Sequence, residues 1–255
     1  MKQKILLPRI LCVHGGGSNA AIFHAQTRFI RHALRDHFEF VFVDAPFECD
    51  AGPGVLPAFE GCGPYFRWTA LKKGEDEGAA AWKVLRRLVE GPGSERIVGL
   101  LGFSQGVRAV MGLLLRQQAA LYPTARTSPM RLRFAVCAMG GEGHPLRLAD
   151  MRLDEAIRIP TIHVHGTQDY ILPQSKRLLK RNFDQSSVKV LTVDASHHLP
   201  KRMDENARLA DMMLEAWLSG GGNEAFEGDL FARAQNNCLA TTRREETQGV
   251  LIECA

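Results

Sequence analysis

Residues 97–106 read IVGLLGFSQG, and this stretch decides the fold class. The first five of them carry no polar side chain, which favours a β-strand that is covered on both faces. The next five match the pattern G-x-S-x-G, in which the serine is Ser104. Beyond them, Val107, Val110 and Met111 lie on one face of a predicted helix. A serine between such a strand and such a helix is typical of a nucleophile held at a tight turn.

Strand and helix signals alternate along the rest of the chain. The other strand-like runs are short and apolar and lie at residues 10–13, 38–43, 134–138, 161–164 and 188–193. The other helical patterns lie at residues 20–34, 78–89, 173–179 and 205–217. This alternation predicts an α/β fold with an open, mostly parallel sheet and helices on both faces. Ligands of such sheets bind at the carboxyl ends of the strands, so a functional site is expected at that edge.

The composition is that of an ordinary globular protein. Of the 255 residues, 45% are hydrophobic and 24% are charged, which excludes a disordered, collagen-like or disulfide-dense chain. No apolar run approaches the roughly 18 residues that a membrane-spanning helix requires, and the N-terminal apolar stretch is too short for a signal peptide. The net charge of +4 comes from basic residues spread along the chain, which argues against nucleic-acid binding. We therefore expect a soluble, cytoplasmic protein.

Two stretches interrupt the alternation of strands and helices. Residues 48–74 are rich in glycine, proline and aromatic side chains, and long loops of this kind usually serve as lids or binding loops. Residues 220–222 are consecutive glycines that resemble a linker. We therefore predict an α/β domain over residues 1–219, with a lid-like loop at about 48–74, and a glycine-linked C-terminal tail over residues 220–255.

A serine nucleophile needs a histidine that accepts its proton, and on this scaffold the order along the chain is serine, acid, histidine. His197 and His198 follow the last strand-like run, at the strand-end position that a base occupies. Either histidine fits the role of the base that accepts the proton of Ser104. His163 and His165 flank an earlier strand and His144 lies in a glycine-rich turn, so we interpret these three as structural.

The acid is predicted to be Asp169, in the turn that follows the strand-like run 161–164. A buried carboxylate at that place fixes the imidazole tautomer and stabilises the imidazolium that forms during the reaction. Asp194 and Asp44 are alternatives, because each also lies at the end of a strand-like run.

An oxyanion hole needs two backbone N–H donors. On this scaffold one belongs to the residue after the nucleophile, which is Gln105 here, and the other to the loop after the first strand. That loop reads HGGG over residues 14–17, and glycines allow main-chain donors to approach a substrate oxygen. Gly16 is our first choice for the second donor, and Gly17 is the alternative.

Taken together, these motifs resemble the fungal family of serine hydrolases (FSH type). The resemblance rests on five segments in the family's order, at residues 14–23, 59–68, 102–106, 166–169 and 197–200. It covers roughly residues 8–218 and implies an α/β-hydrolase fold.

The resemblance also selects between the two late histidines. In the family the catalytic histidine usually stands in the pattern Gly-Gly-His-x-x-Pro. The spacing to Pro200 selects His197 over His198, while Ala195 and Ser196 stand in place of the two glycines.

Members of this family include small esterases and trans-acting thioesterases that release polyketides from a synthase, as in statin biosynthesis. The resemblance therefore implies hydrolysis of an acyl ester or thioester through a Ser-His-Asp triad, and no metal or organic cofactor is expected. It also implies that the aromatic segment 59–68 walls the acyl pocket. The predicted pocket residues are Gly17, Tyr65, Trp68 and Phe103.

The most specific expectation is release of a polyketide chain from the acyl carrier protein of a synthase. The mild positive charge would help to dock an acidic carrier protein. A general short-chain carboxylesterase is the first alternative. The second is a catalytically inactive α/β-hydrolase that serves as a binding module, although the sequence lacks no member of the triad.

Overall fold

A parallel sheet of six strands forms the centre of the structure. The computed structural model of the chain describes residues 6–70, 76–119, 131–141, 143–148 and 155–219. The strands of the central sheet are β1 (Arg9–Val13), β2 (Glu39–Val43), β5 (Ile97–Phe103), β6 (Phe134–Ala138), β7 (Thr161–Gly166) and β8 (Val188–Val193). Their order across the sheet is β2-β1-β5-β6-β7-β8, and every neighbouring pair is parallel.

Helices lie between most of the strands and after the last one. They are α1 (Ala20–Gln26), α2 (Arg28–Ala33), α3 (Glu77–Val89), α4 (Gly106–Ala119), α5 (Leu172–Asn182) and α6 (Met203–Ser219). The chain runs from β1 outward to β2 and then returns to build the other half of the sheet. With right-handed connections, this reversal places helices on both faces. The predicted α/β-hydrolase architecture is confirmed, and the observed strands match the predicted runs closely.

The central and edge strands differ in burial as their sequences suggest. Strand β6 is buried throughout, and β5 is buried up to its last residue. The edge strand β8 instead buries Leu191 and Val193 and exposes most of the side chains between and before them. Continuous apolar runs therefore mark the middle of the sheet, where both faces are covered by helices.

One predicted helix is wrong in detail. The pattern over residues 20–34 forms two helices, α1 and α2, which meet at Thr27. The hydroxyl of Thr27 donates to the carbonyls of Phe23 and His24 at 2.9 and 3.1 Å. A side chain that bonds to the preceding turn in this way competes with the regular helix hydrogen bonds, and here the helix is interrupted.

The predicted lid-like loop contains a small second sheet. Strand β3 (Phe47–Cys49) pairs antiparallel with β4 (Tyr65–Arg67). Phe66 of β4 also forms a bridge with Ser18, in the loop after β1. This part of the chain is therefore fixed against the loop after the first strand, whereas residues 71–75 lie outside the described residues.

The chain divides into two compact units, residues 1–216 and residues 217–255. Residues 220–255, which the sequence predicts to be a glycine-linked tail, lie outside the described residues, so the tail stays a prediction. Among the described helices, none combines the length and the apolar character that crossing a bilayer requires.

Candidate active site

Ser104 lies in the sharp turn between β5 and α4. Its φ angle is 51°, in the left-handed region that residues other than glycine rarely adopt. Its N–H donates to the carbonyl of Ala138 at 2.9 Å, which holds the turn against β6. A Cβ on Gly106 would lie 2.3 Å from the Val13 carbonyl oxygen, and one on Gly102 would lie 2.7 Å from Val110. Both flanking positions therefore require glycine, as the G-x-S-x-G pattern predicts.

The structure brings together the three side chains that the sequence singles out as a triad. The Nε2 atom of His197 lies 2.9 Å from the Oγ atom of Ser104. The Nδ1 atom of the same ring lies 3.1 Å from each carboxylate oxygen of Asp169. With hydrogen on Nδ1 donated to Asp169, the lone pair on Nε2 faces the serine hydroxyl. This is the tautomer that a general base needs.

Burial and hydrogen bonding fix the orientation of Asp169. The residue is 5% exposed, and its Oδ1 atom accepts the backbone N–H of Ile171 at 3.0 Å. Its own N–H donates to the carbonyl of Gly166 at the end of β7. The carboxylate therefore has few alternatives to facing His197.

The alternative residues have other partners. The Nδ1 atom of His198 lies 2.9 Å from the carbonyl oxygen of Leu199. Asp194 accepts a hydrogen bond from the side-chain amide of Gln168 at 2.8 Å, and Asp44 accepts the N–H of Ala20 at the start of α1. The two aspartates connect loops and cap a helix, and the structure does not bring them to the serine.

The loop before His197 does not need the glycines that the family usually has there. Among the described residues other than glycine, only Ser104 and Met139 have a positive φ, so Ala195 and Ser196 adopt ordinary backbone angles. The carbonyl of Ala195 accepts the N–H of Gln168 at 3.1 Å. This bond ties the histidine loop directly to the loop that holds the acid.

The backbone N–H groups of Gly16 and Gln105, the two predicted oxyanion donors, have no hydrogen-bond partner within the part of the chain that the structure describes. Both residues line the same cavity as Ser104. The alternative donor, Gly17, uses its N–H to bond the carbonyl of Phe66 at 2.9 Å. Helix α4 begins directly after Gln105, so its positive end also faces this place.

A cavity of about 1060 Å³ opens around these groups at the carboxyl edge of the sheet. Its lining includes Ser104, His197 and the predicted pocket residues Gly17 and Phe103. Apolar side chains from helix α2 and from two loops complete the wall; they are Phe29, Val55, Ala58, Phe59 and Leu199. The cavity is large enough for a substantial acyl chain.

Two predicted pocket residues need correction. Tyr65 and Trp68 do not belong to the described lining of the cavity. The hydroxyl of Tyr65 donates to the carbonyl of Phe59 at 2.8 Å, and Trp68 is fully buried. Of the segment 59–68 that the resemblance favoured, the lining includes Phe59 and Arg67, and the loop between β3 and β4 adds earlier residues such as Val55 and Ala58.

Sequence reasoning missed one aromatic residue that shapes the site. Tyr170, directly after the acid, is 68% exposed, and its ring centroid lies 5.1 Å from that of His197. Phe103, which precedes the serine, lies at the same distance from that imidazole. The imidazole is thus flanked by both rings. Phe103 was predicted as a pocket residue, whereas the only signal for Tyr170 in the sequence was its position directly after Asp169.

The sequence assigned no role to His14, the first residue of the HGGG loop. Its Nδ1 atom lies 2.7 Å from the Gly15 carbonyl oxygen, and its Nε2 atom accepts the N–H of Ala45 at 3.0 Å. Burial is the main cause that lowers the pKa of His14, so the ring stays neutral near pH 7 and holds hydrogen on Nδ1. A neutral ring links the HGGG loop to the end of β2.

The Nε2 atoms of His163 and His165 in β7 are buried without a hydrogen-bond partner in the described part of the chain, so neither ring contacts Ser104 through that atom. His163 is 2% exposed and packs edge-on against Phe183, with ring centroids 4.5 Å apart. Burial, with a smaller contribution from His165, lowers the pKa of His163 to about 3. Within the described ranges, no cluster of three or more histidine, cysteine or acidic side chains could hold a metal ion.

Comparison with solved structures supports the fold. The structure is similar to that of esterase PE8, with a TM-score of 0.54, 21% identity, and coverage of 82% of this chain and 92% of that one. It is also similar to acyl-protein thioesterase 2 of Zea mays, with a TM-score of 0.52, 18% identity, and coverage of 85% and 96%.

The relatives found by sequence share a higher identity with this chain than those two solved structures do. A probable esterase of Aspergillus terreus is 39% identical over 228 residues, covering 81% of this chain and 88% of the relative. The dihydromonacolin L-[lovastatin nonaketide synthase] thioesterase of Aspergillus terreus is 34% identical over 219 residues, covering 76% and 86%. The thioesterase FSL2 of Gibberella zeae is 32% identical over 240 residues, covering 83% and 93%.

The family model described as serine hydrolase (FSH1) matches residues 4–209. This match spans the strand that precedes the serine, the serine itself and the loops with the acid and the histidine. The resemblance seen in the sequence is thereby confirmed. The chain belongs to the serine hydrolase (FSH1) family and is an enzyme of the esterase and thioesterase class.

Proposed function

We propose that the enzyme hydrolyses acyl thioesters and esters with Ser104 as nucleophile, His197 as base and Asp169 as the acid that orients it. The observation that carries the proposal is the continuous contact from Asp169 through both ring nitrogens of His197 to Ser104 Oγ. A serine hydroxyl is a weak nucleophile until a base takes its proton, and this arrangement supplies that base.

Acylation begins when Nε2 of His197 takes the proton of the Ser104 hydroxyl. The freed Oγ attacks the carbonyl carbon of the substrate, and the carbonyl oxygen becomes an oxyanion. The N–H groups of Gly16 and Gln105 bind this oxyanion, and the N-terminus of α4 adds its partial positive charge. The tetrahedral intermediate then collapses: its bond to the leaving sulfur or oxygen breaks, and His197 gives the proton to that atom.

Deacylation repeats these steps with water. Nε2 of His197 takes a proton from a water molecule, whose oxygen attacks the acyl-enzyme carbonyl. The bond to Ser104 Oγ breaks, the serine recovers its proton from His197, and the carboxylic acid leaves. The negative charge of Asp169 stabilises the imidazolium in both halves of the reaction.

The substrate that we propose is a polyketide chain held as a thioester on the acyl carrier protein of a synthase. Two relatives support this assignment, because their names describe them as thioesterases and one name includes a polyketide-type synthase. The cavity supports it too, since its volume of about 1060 Å³ exceeds what a short acyl group fills. The lining also carries three cations, Arg28, Arg67 and Lys201, against two carboxylates, Glu48 and Asp50, and this small positive excess favours an acidic carrier.

The first experiment tests the nucleophile. The wild-type enzyme is incubated with a fluorophosphonate and its intact mass is measured, and the Ser104→Ala variant is treated in the same way. We expect one added label on the wild type and none on the variant. An unlabelled wild-type enzyme that is folded would instead support the inactive binding module.

The second experiment compares leaving groups. Matched acyl chains are supplied as p-nitrophenyl esters, as N-acetylcysteamine thioesters and as thioesters on a carrier protein. The proposal expects kcat/KM to rise with chain length and to be highest for the carrier-bound thioester. A clear preference for short oxygen esters would contradict it and would favour a general carboxylesterase.

A further inference from the structure

Strand β4 and the residues after it contact both loops that supply the proposed oxyanion donors. On one side, the carbonyl of Phe66 accepts the N–H groups of Gly17 and Ser18 at 2.9 and 3.3 Å. The N–H of Phe66 donates back to the carbonyl of Ser18 at 2.7 Å. These bonds hold the HGGG loop directly after Gly16.

On the other side, the same segment is bound by the side chain of Gln105. Its Oε1 atom accepts the backbone N–H of Trp68 at 2.7 Å, and its Nε2 atom donates to the hydroxyl of Thr69 at 2.7 Å. A Cβ placed on Gly16 would lie 3.0 Å from Oε1 of Gln105. The carboxamide therefore lies between Gly16 and the segment after β4.

The indole of Trp68 completes the connection. It is fully buried, and its Nε1–H donates to the carbonyl of His14 at 2.9 Å. His14 is two residues before Gly16. Buried indole N–H groups need a partner, and this one is satisfied at the end of β1, next to the proposed oxyanion hole.

We propose that the Gln105 carboxamide and the Trp68 indole are positioning groups that set the distance between the two oxyanion donors. This inference rests on the proposed function. The donors Gly16 and Gln105 lie in loops that are far apart in sequence, and N–H groups stabilise an oxyanion only when both lie about 2.7 to 3.1 Å from it. Residue 105 would then have two roles: its backbone donates to the substrate and its side chain fixes the opposite donor.

The chemistry of the side chain explains why glutamine fits this position. It must accept one hydrogen bond from Trp68 and donate another to Thr69, and a carboxamide does both. A glutamate would lose the donor, and a methionine of similar length would lose both bonds. The oxygen of Thr69 already accepts Nη2 of Arg67 at 2.7 Å, so its orientation is also fixed.

The test compares Gln105→Met and Trp68→Phe with a matched control, Gln185→Met. The side chain of Gln185 is likewise hydrogen-bonded, since it donates to the backbone carbonyls of Leu179 and Phe183, but it lies in the turn before β8. For each variant, kcat and KM are measured with one ester, together with Tm. Two inhibitors are added: an alkyl boronic acid, whose tetrahedral adduct on Ser104 places an oxygen in the hole, and a thioether analogue of the substrate, which has no carbonyl.

We expect Gln105→Met to lower kcat by about 10- to 100-fold, less than the loss of a donor itself, with little change in KM. The affinity for the boronic acid should fall by a similar factor. The affinity for the thioether analogue should stay within about threefold of wild type, because this inhibitor has no oxygen that binds in the oxyanion hole. Trp68→Phe keeps a buried ring and removes the Nε1–H, so the same pattern is expected. Gln185→Met should change neither kcat nor boronate affinity.

Boronate affinity and kcat close to wild type in the folded Gln105→Met and Trp68→Phe variants would overturn the inference. A parallel loss of boronate and thioether affinity would also overturn it, because a general loss of packing explains such a pattern. If Gln105→Met does not fold, Trp68→Phe decides by the same readout. Failure of the proposed function is distinct, since the wild-type enzyme would then neither turn over the ester nor take up a fluorophosphonate.

Discussion

Gly52 donates its backbone N–H to the carbonyl of Gly17 at 2.9 Å, so two glycines join the loop after β3 to the HGGG loop. Gly17 has a φ of 69°, and a Cβ on it would lie 2.1 Å from the Gly52 nitrogen. The apolar wall formed by Val55, Ala58 and Phe59 begins three residues after Gly52. One close backbone contact therefore fixes the apolar wall of the cavity relative to the proposed oxyanion hole.

The first prediction follows from this contact. In Gly52→Ala the new Cβ would lie 2.3 Å from the Gly16 carbonyl oxygen, so the HGGG loop must move. We expect kcat/KM for an ester to fall by at least about tenfold, because small displacements of catalytic groups are costly. The control is Gly61→Ala. Gly61 has a φ of 74° but nothing within 4 Å of an added Cβ, so only backbone strain is expected there. Equal activity losses in both variants would refute the role of the contact.

The second prediction concerns the acid. Asp169→Asn should lower kcat by about 10⁴-fold, because the amide no longer favours hydrogen on Nδ1 of His197. The fold should persist, since the substitution is isosteric. Asp194→Asn changes the hydrogen bond to Gln168 but not the triad, and we expect less than about a tenfold loss. The measurement is steady-state kinetics of both variants, with Tm as a check that each is folded. A larger loss of kcat in Asp194→Asn than in Asp169→Asn would reassign the acid.

The third prediction separates the two adjacent histidines. His197→Gln should reduce kcat by up to about a millionfold, as loss of the base does in other serine hydrolases. His198→Gln should retain most activity, because the ring of His198 lies against the Leu199 carbonyl and not against Ser104. Fluorophosphonate labelling rates give an independent measurement. Comparable rates for the His197→Gln variant and the wild type would contradict the assignment of the base.

The fourth prediction tests whether the apolar wall of the cavity holds the acyl chain. Ala58 lines it and is exposed, so Ala58→Trp should fill part of the volume without disturbing the core. We expect kcat/KM for a decanoyl thioester to fall by at least about tenfold, as apolar pockets discriminate by size. The value for an acetyl thioester should change by less than about threefold. Equal losses for both chain lengths would indicate that the long chain lies elsewhere.

The fifth prediction concerns stability in acid. Burial holds the pKa of His163 at about 3 in the folded protein, against 6.5 for an ordinary histidine. The unfolded chain therefore binds a proton that the folded protein does not, and stability is lost as pH falls from about 6.5 towards 3. The full loss is at most roughly 5 kcal/mol.

The variant His163→Leu should flatten this dependence, measured as the free energy of unfolding in urea at several pH values. His37→Leu, at an exposed position, is the matched control and should keep the wild-type slope. If the free energy of unfolding of His163→Leu falls with pH as steeply as that of the wild type, other groups cause the acid sensitivity.

Local patterns in the sequence were sufficient for the main features of the fold. The apolar run before Ser104 predicted a central strand because a strand between two helix layers can have no polar face. The glycines at 102 and 106 predicted the tight turn, and the structure shows backbone atoms and side chains where Cβ atoms would lie. The order of serine, acid and histidine along the scaffold pointed to three side chains that the fold brings within hydrogen-bond distance.

The surroundings of that site were decided only by the tertiary structure. An aromatic residue such as Trp68 suits a pocket wall or a buried position equally well in a sequence. Which one it occupies depends on whether its indole N–H finds an acceptor, and the acceptor is the carbonyl of His14, 54 residues earlier. The partners of the Gln105 carboxamide are likewise more than 30 residues away in the chain. Sequence patterns report periodicity and short-range chemistry, whereas hydrogen bonds between distant loops exist only after the sheet has brought those loops to one edge.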